Sequence, residues 1–143
     1  MWSSHKTLLS WSVPLFLVAL AGCNEGPQVV TVSGILTYKG KPVTNAFVDF
    51  FPEDGRPSFG ETDGEGRFKL IYTRKLDGAL VGKHKVSVRL RPETRAEQEA
   101  IMQGKRPRMS KEMQESFDKY SAEKSKIVVE IDDKTRDLKL DWQ

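Results

Sequence analysis

From Val29 onward the chain alternates apolar and polar positions in short runs, each closed by a turn signal. His84 to Leu90 is the cleanest. Val86, Val88 and Leu90 alternate there with Lys85, Ser87 and Arg89, the period of two that a half-buried β-strand requires. Asn45 to Phe51 sets Ala46, Val48 and Phe50 on one face and Asp49 on the other, and Pro52-Glu53-Asp54-Gly55 ends it. Arg67 to Tyr72 brings Phe68, Leu70 and Tyr72 into register, followed later by Ile127, Val129 and Ile131 and then by Leu138, Leu140 and Trp142. Val29 to Tyr38, rich in Val, Ile and Thr, stops at Lys39-Gly40-Lys41-Pro42, and a short run from Phe59 to Thr62 completes seven strands. Seven short strands with no helix between most of them predict an all-β fold, a seven-stranded antiparallel β-sandwich. Its core is expected to hold Leu36, Val48, Phe50, Phe68, Leu70, Val86, Val88, Val129, Ile131, Leu138 and Leu140.

Residues 91–126 break the alternation and read as a charged helical insertion before the last two strands. Glu93 to Gln103 has helix-forming composition, with Arg95 and Glu99 spaced to pair and Gly104 placed to end it. Ser110 is a cap for a second helix, along which Met109, Met113, Phe117 and Tyr120 recur at three- and four-residue spacing. That stripe is expected to pack on the sheet. Between the helices, Lys105, Arg106 and Arg108 form a basic cluster, either a solvated loop or a contact for anionic lipid headgroups. Nine Lys or Arg face seven Asp or Glu across the insertion, so the cluster is locally balanced.

The amino terminus follows a different pattern. Met1 to Thr7 is polar with Lys6, Leu8 to Leu20 is a 13-residue, mostly apolar stretch, and Leu20-Ala21-Gly22-Cys23 follows. The stretch is shorter than the roughly 20 residues of a membrane span and is broken by Ser10, Ser12 and Pro14. Leu20, Ala21, Gly22 and Cys23 resemble a bacterial lipobox. The resemblance implies a signal peptide over 1–22, cleavage before Cys23, and transfer of a diacylglyceryl group to the Cys23 thiol with acylation of the new amine. Residues 23–28 then form a lipidated tether to a domain over 29–143. The expected location is a bacterial membrane facing the periplasm or the surface. Asn24, where a retention signal resembling that of inner-membrane lipoproteins would have Asp, favours the outer membrane.

Removing 22 residues from 143 leaves 121, enough for one domain. The full chain carries 23 Lys or Arg against 20 Asp or Glu, and this near balance offers no bulk field to attract nucleic acid. Hydrophobic content of 38% excludes a disordered chain. One cysteine excludes an internal disulfide, and His84, the one histidine outside the signal, excludes histidine-rich metal sites and Cys/His pairs.

Val32-Ser33-Gly34, Tyr38 to Val43, Phe50-Phe51-Pro52, Thr62-Asp63-Gly64-Glu65-Gly66-Arg67-Phe68 and Gly82 to Val88 resemble the carboxypeptidase regulatory-like, or transthyretin-like, domain. More narrowly, the chain is similar to small bacterial lipoproteins built on that fold, through Lys119-Tyr120-Ser121 to Trp142. The resemblance implies a binding or accessory module. In Thr62 to Phe68, Asp63-Gly64 and Gly66 supply positive φ for a tight hairpin, while Asp63 and Glu65 as calcium ligands lack the later ligands of an EF-hand loop.

Catalytic chemistries find little support. The transthyretin-like hydrolases of 5-hydroxyisourate use several histidines, an arginine and a terminal Tyr-Arg-Gly-Ser, whereas this chain ends Leu140-Asp141-Trp142-Gln143. No Ser sits in a Gly-x-Ser-x-Gly elbow, and the paired carboxylates Glu53-Asp54 and Asp132-Asp133 lie in predicted turns. His84, between Lys83 and Lys85, is expected on the sheet surface. Phe47 and Phe51 face away from the predicted core, where they either cover a second layer under the insertion or form a small binding patch. The reading is a lipid-anchored envelope protein acting as a non-catalytic binding or structural module, with no cofactor and no metal. Its partners are the membrane, through the anchor, and an envelope protein or polysaccharide. The alternative is a carbohydrate- or peptide-binding accessory lipoprotein for a secreted enzyme, favoured if aromatics lie on an exposed sheet face.

Overall fold

The computed structural model describes residue 1 and residues 26–105 and 109–143. Of these, 44% lie in strands and 15% in two helices. The elements are β1 (Val29–Val30), β2 (Ser33–Tyr38), β3 (Lys41–Pro42), β4 (Ala46–Pro52), β5 (Ser58–Glu61), β6 (Arg67–Lys69), β7 (Ile71–Thr73), β8 (Leu76–Asp77), β9 (Ala79–Leu80), β10 (Gly82–Leu90), α1 (Arg95–Met102), α2 (Lys111–Lys119), β11 (Ile127–Ile131) and β12 (Asp137–Trp142). One sheet runs in the order β11-β10-β4-β5-β7-β8. A second has the order β12-β2-β3 with β6 also on β2, and β1 pairs β9 as a ribbon. The two larger sheets share one apolar core, an arrangement consistent with an all-β sandwich.

The alternation read from the sequence places the core. Leu36, Val48, Phe50, Phe68, Leu70, Val86, Val88, Ile131 and Leu140 are buried, while Val129 and Leu138, on outer strands, are half-buried against them. Two of the long predicted strands are broken for a structural reason. Val29 to Tyr38 divides at Thr31-Val32, because β1 pairs β9 whereas β2 pairs β6 and β12. Arg67 to Tyr72 divides at Leu70, where the chain leaves β2 for β5. Leu70 keeps its backbone bonded through the switch, its N–H donating to Val32 O at 2.9 Å and its carbonyl accepting from Gly78 at 2.7 Å.

The expectation of a wholly antiparallel fold fails at β12, which runs parallel to β2 from Asp137↔Ser33 to Trp142↔Tyr38. A tight hairpin imposes antiparallel pairing, but the β11–β12 turn joins two different sheets and so does not constrain direction. Side chains reinforce the parallel pair, Ser33 Oγ donating to Asp137 and Thr37 Oγ1 to Asp141, each at 2.6 Å. Lys39 (φ 50°) and Gly40 (φ 75°) form the two-residue loop between Tyr38 and Lys41, as expected from their turn signal. In the 63–67 turn, positive φ falls on Gly66 (76°) and not on Gly64.

The insertion folds as two capped helices. Thr94 and Glu97 make a reciprocal capping box on α1, Arg95 and Glu99 pair at 3.1 Å, and Gly104 (φ 74°) follows its end. Ser110 caps α2 by accepting from Met113 N–H. Met113 and Phe117 pack against the core, and Tyr120 enters it with its ring 4.2 Å from that of Trp142. Val88 N–H donates to Tyr120 O at 2.8 Å, fixing the end of α2 to β10. α1 buries no residue. No helix among the described residues is long and apolar enough to cross a membrane.

Candidate functional site

α1 and α2 stand over the carboxyl end of β10 and leave a cavity of about 490 Å³ between them. Its apolar wall combines Leu90 and Pro92 with Ile101, Met102, Met109 and Phe117. The local cause is legible in α1. Ile101 and Met102 close a mostly polar and charged helix, lie outside the shared core, and remain exposed at 37% and 81%. Lys105, from the basic cluster, reaches the rim, where Gln98, Gln114 and Asp118 also stand. The volume falls in the range of small-ligand sites, roughly 300 to 1,000 Å³.

Arg89 joins the cavity to the outer face of the large sheet. It lines the cavity, and its guanidinium lies 4.2 Å from the Phe47 ring centre. The same group clasps Asp49 with Nε to Oδ2 at 2.7 Å and Nη2 to Oδ1 at 3.3 Å, so the carboxylate is matched although nearly buried. Phe47 meets Phe59 edge to face at 6.5 Å. Phe51 (36% exposed) and Phe59 (41% exposed) complete an aromatic patch on this face. Phe47 and Phe51 therefore do point away from the core. The face of Phe47 lies beneath Arg89, however, and is not a free stacking surface.

No protein-family model, curated protein or solved structure matches the chain.

Among the other residues singled out from the sequence, His84 requires correction. It is fully buried, with its ring 6.0 Å from that of Phe50 and Nε2 2.8 Å from Leu80 O. Nδ1 has no partner. The period of two in β10 carried this signal, because His84 shares the parity of Val86 and Val88, whereas its lysine neighbours lie on the opposite face. Leu20, Ala21, Gly22 and Cys23, with Arg106 and Arg108, lie outside the described residues.

The acidic candidates lie in turns. Asp63 Oδ1 accepts from Glu65 N–H at 2.8 Å and Arg67 N–H at 2.9 Å, and these backbone bonds hold its carboxyl below the usual range. Glu65 pairs with Arg67 at 2.9 Å instead of turning toward Asp63. Asp132 accepts from Thr135 Oγ1 at 2.7 Å and is shifted down mainly by that bond. No group of three or more His, Cys, Asp or Glu that could hold a metal occurs among the described residues. Sequence reasoning missed Arg89, Leu90, Ile101, Met102 and Phe59. Only tertiary packing brings those positions together, although the polar outer face of β10 already marked Arg89 as exposed.

Proposed function

We propose that the protein is an exported, lipid-anchored envelope protein whose transthyretin-like sandwich is a non-catalytic binding module. It takes a small amphipathic ligand into the cavity between α1, α2 and β10. The observation that carries this reading is the cavity itself, where Ile101, Met102, Met109 and Phe117 present apolar surface that the other described residues leave open and Lys105 supplies a cation. The Leu20 to Cys23 lipobox supports the anchor. Against catalysis stands the burial of His84, the one histidine beyond the lipobox, inside the core and not among the residues that line this cavity.

Anilinonaphthalene sulfonate, an apolar anion whose fluorescence rises on leaving water, tests the reading with the folded protein. It should bind saturably, and Ile101→Asp or Met102→Asp should weaken binding at least tenfold, while Val128→Asp on the outer sheet face leaves it unchanged. Equal binding by all three variants overturns the cavity as the site.

A second reading, carbohydrate binding on the sheet face, draws on the exposed Phe51 and Phe59. The edge-on Phe47–Phe59 geometry and the Arg89 cap on Phe47 leave those two rings as its whole platform.

A further inference from the structure

The end of the domain opposite the helices gathers exposed apolar and basic side chains around the point where the tether enters. Val81 N–H donates to Gln28 O at 3.0 Å, and Leu80 pairs with Val29, so Gln28 and Val29 are pinned there. Gly55 packs on Leu80 so closely that a Cβ on it would stand 2.7 Å from Leu80 Cδ1, which draws the 52–57 loop onto the same spot. Arg56, next in that loop, lies 5.9 Å over the Tyr72 ring. The register then brings in the β7–β8 hairpin, since Phe59 pairs Ile71 and Thr73 pairs Leu76. Its tip, Arg74-Lys75, projects from the same end. Leu76 and Val81 are exposed at 44% and 39%. Among the unpaired charges of the 52–57 loop and the β7–β8 hairpin, Arg56, Arg74 and Lys75 outnumber Glu53 and Asp54, while Asp77 is matched by Lys69 at 2.6 Å.

Tether length decides what this corner faces. Four residues separate Cys23 from Gln28, and five backbone steps of no more than about 3.6 Å each hold Gln28 within about 18 Å of a lipidated Cys23. We infer that the corner formed by Arg56, Arg74, Lys75, Leu76 and Val81 rests on an anionic bilayer surface, its cations among the headgroups and its two aliphatic side chains at their level. This inference rests on the lipid anchor proposed above. Excess positive charge matches an anionic leaflet, and exposed Leu and Val beside it match the interface below. One consequence is orientation. β10 runs from this corner to the helices over nine residues, a rise of about 26 Å, so the α1–α2 cavity faces away from the bilayer.

The test uses the mature lipidated protein in phosphatidylcholine vesicles with and without phosphatidylglycerol. Leu76→Cys and Met102→Cys variants each carry a fluorophore, and quenching by nitroxide lipids reads contact with the bilayer. The label at 76 should be quenched several-fold more than the label at 102. Phosphatidylglycerol should strengthen the effect, and high salt or a combined Arg56→Glu, Arg74→Glu, Lys75→Glu variant should remove it. Protein that floats with the vesicles while the label at 76 stays as water-accessible as the label at 102 overturns the docking and leaves the anchor standing. Protein that carries no lipid and does not float overturns the anchor and the docking together.

Discussion

Val88 is 1% exposed in β10, opposite Val48 of β4 on one side, and on the other, beyond the end of the β11 pairing, its own N–H holds the end of α2. Replacing it with Asp removes a buried side chain worth about 1.5 to 3 kcal/mol. It also asks a carboxyl to stay neutral at pH 7, about 3 units above its ordinary pKa, which costs about 4 kcal/mol. The total, about 5 to 7 kcal/mol, is comparable to the whole stability of a small domain, about 5 to 15 kcal/mol. Val88→Asp should therefore be unfolded or marginal. Val88→Ala, which deletes only methyl groups, should lose about 1 to 3 kcal/mol and keep the fold. Two comparisons make the result informative. Val128→Asp, at a position 62% exposed on the neighbouring strand, should cost within about 1 kcal/mol.

Arg89→Asp falls between them, although alternation alone places residue 89 on the solvent face. It strands Asp49 and sets a like charge beside it, but the Arg89 side chain is 56% exposed, so water screens much of the pair and the loss should be about 1 to 2 kcal/mol. Urea midpoints with unchanged slopes measure all four. If Val88→Asp costs no more than Val128→Asp, the register of β10 is wrong and the core described above fails with it.

Acid should loosen the 62–67 turn selectively. Because backbone N–H donors from Arg67 and Glu65 depress Asp63, its contribution is full above the ordinary 3.8 and is lost as pH falls through the lowered folded value, so the urea-midpoint gap between wild type and Asp63→Ala should persist at pH 7 and close as the pH is taken progressively below 3.8. Limited trypsin digestion should cut first at Lys105, beside a helix that buries nothing, leaving fragments that stay associated through the sheet; first cleavage at Arg67 or Lys85, within strands, would refute this. Metabolic labelling with palmitate should mark the wild-type protein and not Cys23→Ser, and equal labelling of both would place the lipid elsewhere.

Much of the fold was legible because its strands are half-buried. A strand with one wet face writes its register into the chain, as the alternation of Ala46, Val48 and Phe50 in β4 and of Val86 and Val88 in β10 shows. The same parity buries His84, while Lys83 and Lys85 beside it take the wet face. Where a strand changes sheets, the signal fails. Phe68, Leu70 and Tyr72 look like one continuous face, yet Leu70 is the point at which the chain crosses, and nothing local distinguishes a buried crossing residue from an ordinary inward one. The parallel β2–β12 pair was equally invisible, because alternation specifies faces and not neighbours.

The cavity shows why a binding site can hide from sequence while the helices that form it do not. Thr94, Glu97, Gly104 and Ser110 announce where α1 and α2 begin and end, and Met113, Phe117 and Tyr120 announce which side of α2 meets the sheet. For α1 the apolar positions are too few for such a stripe, and composition alone suggests a loose, solvated helix. The structure resolves this differently. Ile101 and Met102 neither pack on the core nor point at random, but wall a space whose other side is Leu90 and Phe117. A helix held by its caps and by one incomplete apolar contact is poised to gain order from whatever fills that contact. Ligand binding and the stability of α1 should therefore rise together, so Lys105 should resist trypsin better when the cavity is occupied than when it is empty.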